Sequence, residues 1–191
     1  MLSFSILPLL VFGLVCSANP LYKRQSTDTT PFKLYAYGAD ISGLPIFYMN
    51  GTAHAADASK VSAPTMAAMT PVDFTAATDG SNTWTAHSSS TEGVNTLSTD
   101  TNNLCLEQGS ANSNPVAFTG ASSGDRTNQL SNVWSTYGGY VLVDVEGANF
   151  YARQTEDGVY SLLWSSSAEV MTDTIPLVLR TVEPATVSVL S

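Results

Sequence analysis

Asp144 and Glu146 are the carboxylates whose spacing best suits chemistry; they lie two apart in Tyr140-Val141-Leu142-Val143-Asp144-Val145-Glu146. Side chains alternate along a strand, so both would face one way with Cβ atoms roughly 6.5 to 7 Å apart. Glycosidases hold their carboxyl pair about 5 to 10 Å apart across the bond they cut. Such pairs usually come from different strands, however, and Glu146 abuts Gly147, where acidic side chains are commonly just solvated. A second chemistry lies immediately upstream, in Trp134-Ser135-Thr136-Tyr137-Gly138-Gly139-Tyr140. Read as a Gly-containing segment passing from loop to strand, it offers aromatic faces on which sugar rings could stack. Trp134, Tyr137, Tyr140, Asp144 and Glu146 therefore form the candidate glycan-binding set. The competing reading is core packing, which is where most Trp and Tyr side chains go.

Other reactive residues are sparse. His54 and His87 are the only histidines and stand far apart in sequence, with no His-x-His or His-x-x-x-His spacing. A zinc-type site needs more ligands at short range, so neither a metal nor a cofactor is expected. The chain has no Gly-x-Ser-x-Gly elbow to support a serine nucleophile. Cys105 lies between Leu104 and Leu106, with no basic neighbour to lower its thiol pKa, and reads as a small buried apolar residue. Asp79, Asp100, Asp125 and Asp157 sit in turn sequences, where carboxylates cap local backbone groups.

The elements that must position these residues are short alternating runs broken by Gly, Asn, Asp and Ser, the pattern of antiparallel β structure. Asn50-Gly51 between 44–49 and 52–55 is a strong hairpin signal. A second hairpin joins 72–75 to 83–87 through Asp79-Gly80. Residues 57–71 read as a loop with one helical turn after Pro64, and 88–103 and 120–132 as polar loops. Further strands are 32–37, 104–106, 116–119, 140–146, 150–153, 159–164 and 175–182. The expected fold is all-β, a sandwich or jelly roll of about nine or ten strands with no long helix outside the signal peptide.

The ends bound where the protein works. Ser3 to Cys16 is almost wholly apolar but shorter than the roughly 20 residues needed to span a bilayer. Cys16-Ser17-Ala18 supplies the small residues that a signal peptidase reads. Residues 1–18 are therefore expected to be a signal peptide, 19–24 a short propeptide ending in Lys23-Arg24, and 25–191 a single mature domain. Loss of Lys23 and Arg24 takes the formal charge from −9 to −11. With five basic residues left and no cluster of them, a nucleic-acid partner is not expected. An anionic membrane surface would repel the mature chain. The mature domain contains one cysteine, so no internal disulfide is available and burial alone must hold it. Asn50-Gly51-Thr52 is an N-glycosylation sequon in what reads as a secreted chain.

The dibasic site, together with Pro31-Phe32-Lys33-Leu34-Tyr35-Ala36-Tyr37-Gly38 and Gly43-Leu44-Pro45-Ile46-Phe47-Tyr48-Met49-Asn50-Gly51, resembles uncharacterised small secreted proteins of filamentous ascomycete fungi. The same quarter of the chain looks distantly like phialide-type fungal cell-wall proteins, without the several cysteines those proteins usually carry. The resemblance implies secretion and a place in or near the cell wall, and brings no catalytic residues. Two functions follow as expectations: a non-catalytic protein whose partner is a cell-wall polysaccharide or other glycan, or a secreted polysaccharide hydrolase using paired carboxylates.

Overall fold

The computed structural model describes residues 30–89, 97, 102–109, 113–119, 128–167 and 171–185. Residues 1–18, expected as a signal peptide, the Lys23-Arg24 site, Asp100 and Asp125 lie outside them, as does most of the Ser/Thr-rich run between Ser88 and Thr101.

The chain is all-β and antiparallel, as its alternation predicts. Thirteen strands occur among the described residues: β1 (Tyr35–Gly38), β2 (Ile41–Met49), β3 (Thr52–Ala56), β4 (Thr70–Ala76), β5 (Trp84–Ser88), β6 (Asn102–Glu107), β7 (Asn114–Thr119), β8 (Gln129–Leu130), β9 (Trp134–Tyr137), β10 (Tyr140–Val143), β11 (Asn149–Glu156), β12 (Val159–Ser165) and β13 (Ile175–Arg180). This exceeds the expected nine or ten, because 134–137 and 129–130 are strands rather than loop. Asn102 and Asn103 also belong to a strand, although their polarity reads as loop; Asn102 is buried. The one helix among the described residues, α1 (Ala63–Ala68), has Pro64 in its first turn, close to the helical turn expected after Pro64, and the Ser62 side chain caps the Thr65 amide.

Hydrogen bonds join all the strands into one sheet that closes on itself. One circuit runs β1–β2–β3–β12–β11–β13 and returns to β1 through Tyr35↔Arg180 and Gly38↔Leu177. A second runs β2–β4–β5–β6–β7–β3 and shares the β2–β3 hairpin with the first. Closure leaves few free edges, which is how β proteins avoid edge-to-edge association. The shared hairpin turns at Asn50-Gly51, with φ of 51° and 86°, the left-handed pair a type I′ turn requires.

The core is a large apolar cluster drawn from both circuits, with a smaller one of Phe47, Ala56, Met69 and Val159 beside it. Through it runs a continuous series of ring contacts: Tyr48–Phe118, Phe118–Phe74, Phe74–Phe32, Phe32–Trp84, Trp84–Trp134 and Trp134–Phe150, with centroids 5.1 to 6.3 Å apart. Aromatic pairs at such distances add about 0.5–1.5 kcal/mol beyond burial alone. Among the described residues Cys105 is the one cysteine and is free, so no disulfide reinforces this array there. Cys105 is wholly buried in β6. Burial pushes its thiol up to about 12, with Glu107 adding to the shift, so it is a packing residue and not a nucleophile.

Candidate functional site

The candidate residues divide by strand alternation. Gly138 and Gly139 have φ of 58° and 82°, so 134–140 is a hairpin and not a loop entering a strand. Tyr137 and Tyr140 flank the turn as a cross-strand pair, and Trp134 pairs with Val143. Residues three apart on a strand point to opposite faces, so Trp134 and Tyr137 cannot both face solvent. Trp134 is 1 % exposed. Its indole N–H donates to the Leu104 carbonyl at 2.7 Å, and its ring stacks on Trp84 and Phe150. Trp134 is therefore core, which corrects its place in the candidate set. A Gly-Gly pair between apolar runs is itself a hairpin signal; reading it would have placed Trp134 inside.

Tyr137 and Tyr140 go the other way, at 79 % and 47 % exposed. Leu142, Val178 and Val182 are exposed nearby, so the outer surface of β9, β10 and β13 carries an aromatic and aliphatic patch. Arg180 lies within it. Its guanidinium carbon sits 4.8 Å from the Tyr140 ring centroid and 5.5 Å from that of Tyr37. The Tyr37 hydroxyl donates to the Val182 carbonyl, which ties the segment after β13 to β1. Tyr35 pairs with Arg180 across β1 and β13 and is buried; burial pushes its phenol pKa up, and Glu183, Tyr37 and Asp73 push it the same way. Sequence reasoning passed over Arg180 because its contacts join strands far apart in the chain. The available signal was alternation in 175–180, where Leu177 and Leu179 point inward and Val178 and Arg180 do not.

Asp144 and Glu146 are both exposed. The strand ends at Val143, and both carboxylates lie on the turn that leads to Asn149. Leaving the strand removes the period-two geometry that would have set their separation. Neither borders the cleft of about 250 Å³ lined by Thr30, Pro31, Phe32, Ala76, Trp84, Thr136 and Thr181.

The two histidines do not share an environment. His54 is buried on β3, its Nε2 2.9 Å from the Thr52 hydroxyl and its Nδ1 without a partner. Desolvation lowers its pKa. His87 is exposed on β5, 2.9 Å from the Thr75 hydroxyl. Among the described residues no group of three or more His, Cys, Asp or Glu could hold a metal ion. Asn50, the sequon residue, is exposed at the β2–β3 turn. The Thr52 hydroxyl donates to the Met49 carbonyl.

No family model matches the chain, and neither the curated proteins nor the solved structures contain a significant match.

Proposed function

We propose that this is a secreted, non-catalytic β protein of the cell wall or its surroundings, which binds glycan on the outer surface of β9, β10 and β13. The observation that supports this reading is the pair Tyr137 and Tyr140, exposed side by side on a short hairpin with Arg180 across the next strand. Exposed tyrosines offer flat apolar faces together with hydroxyls, and sugars present the same mixture in their ring faces and edges. A contiguous exposed patch of this kind on a soluble domain commonly marks an interaction site. Secretion rests on the amino-terminal sequence and its cleavage signals.

The test is retention on insoluble chitin and β-glucan. The wild-type protein is expected to be held, and the double variant Tyr137→Ala/Tyr140→Ala to be washed through with an unchanged melting temperature. A wild-type protein retained by no fungal or plant wall polysaccharide would sink the reading. Release of reducing sugar that disappears in Asp144→Asn or Glu146→Gln would replace it with a hydrolase.

A further inference from the structure

We infer that the glycan taken by this surface is acidic: a linear oligosaccharide bearing a uronate, whose carboxylate sits on Arg180 while neighbouring sugar rings cover Tyr140 and Tyr137. The inference rests on the glycan reading above and specifies its ligand.

The first observation is register. Tyr137 pairs with Tyr140, and Tyr140 pairs with Arg180. The three residues therefore form one row across three adjacent strands. Neighbouring strands lie about 4.8 Å apart, so the row is about 10 Å long. It runs across the strand direction, which suits an extended ligand covering more than one sugar ring.

The second observation is the state of Arg180. A guanidinium has five N–H donors and no acceptor. No ion pair or hydrogen bond engages that of Arg180 among the described residues, where the one ion pair is Lys60–Asp57. Its Nε is buried without a partner. The mature chain has 16 acidic residues against five basic ones, so an arginine without a carboxylate is not for want of carboxylates. The Tyr140 and Tyr37 rings already hold the guanidinium, so less ordering remains to be done when a ligand binds. The complement of such a group is a planar, doubly accepting anion, and a carboxylate meets it through paired charge-assisted hydrogen bonds.

Two features favour a sugar acid over an acidic peptide. Tyr137 and the part of Tyr140 that the guanidinium leaves open are exposed beside the cation, and a peptide carboxylate alone would leave that aromatic surface uncovered. A peptide could instead add along β9, which lies at the end of the strand order. That edge is four residues long, and the Trp134 amide already donates to the Asn82 carbonyl. The overall negative charge of the protein opposes a densely charged polymer. Screening over about 8 Å at physiological salt leaves the local pairing effective for an oligomer with isolated uronates.

The test uses the intact secreted protein and calorimetric titration with a glucuronate-substituted xylo-oligosaccharide and with the same oligosaccharide after carboxyl reduction. The acidic form is expected to bind about tenfold more tightly than the reduced form, the factor that corresponds to about 1.4 kcal/mol. Arg180→Gln should bring the affinities for the two forms together, and Arg180→Lys should restore part of the difference. Comparison of the two ligands on the wild-type protein needs no variant to fold. Equal affinity for both forms overturns the acidic ligand and leaves the glycan reading standing. Failure to bind either form, with no retention on any wall polysaccharide, removes both. Tighter binding of a poly-glutamate peptide than of the acidic oligosaccharide also overturns the inference, in favour of a protein partner.

Discussion

Trp134 and Tyr137 belong to one four-residue strand, yet one lies within the seven-ring array of the core, between Trp84 and Phe150, and the other is the most exposed large hydrophobic side chain among the described residues. Both are aromatic, and both carry a polar atom. What separates them is parity along the strand, fixed by the Gly138-Gly139 turn that closes the hairpin. A shift of one residue in register would exchange the two faces. The inner face would lose its Trp84 and Phe150 stacking, and the outer row would lose Tyr137. The turn therefore sets both the stability of this region and the surface it offers.

The largest test of this contrast is truncation on the inner side. Trp134→Ala removes a filled core volume, two ring contacts and the hydrogen bond to the Leu104 carbonyl. It is expected to cost about 3–5 kcal/mol, read as a fall in the urea midpoint with little change in slope. A loss below about 1 kcal/mol, within the range of ordinary surface changes, would mean that the inner face does not depend on this ring.

The same inside–outside division applies to the histidines, with a smaller effect. His54 is buried and its folded pKa lies below the ordinary value of 6.5 because of desolvation. Below that value the unfolded chain binds a proton that the folded one resists. Stability is therefore fully present above about pH 6.5 and is lost as the pH falls, by at most about 1.4 kcal/mol per pH unit for one proton. The Thr52 hydroxyl is its side-chain partner, and its cross-strand neighbours are Phe47 and Ser161. Chemical denaturation at pH 5 and pH 7 should show the loss in the wild-type protein and a reduced one in His54→Gln. An equal loss in His54→Gln would assign the pH dependence to another group.

Much of the fold was legible because it is local. Asn50-Gly51 announces its turn, and Pro64 announces the first turn of α1. What was not legible is non-local. Closure of the sheet depends on β1 meeting β13 across some 140 residues of chain, and no residue type encodes that partner. The site failed for the same two reasons in different places. Trp134 was misplaced because its segment was read without a fixed parity, although Gly138-Gly139 supplied one. Arg180 was passed over because Tyr37, Tyr140 and Arg180 meet only after closure. Asp144 and Glu146 share a face only while the strand lasts, and it ends at Val143.

The smallest expected effect on stability is also the one that isolates the outer face. Tyr137 touches no ring of the buried array and is 79 % exposed, so Tyr137→Ala removes little surface that folding had hidden from water. Substitutions at such positions usually change stability by no more than about 0.5 kcal/mol. The melting temperature should therefore move little, even though the change lies three residues from the most sensitive position in the hairpin. Retention on wall polysaccharide should fall at the same time, because one end of the row is gone. The two readouts separate a recognition surface from a packing one. A large loss of stability in Tyr137→Ala would mean that the tyrosine supports the hairpin itself. Unchanged retention with unchanged stability would mean that any glycan contact begins no further out than Tyr140.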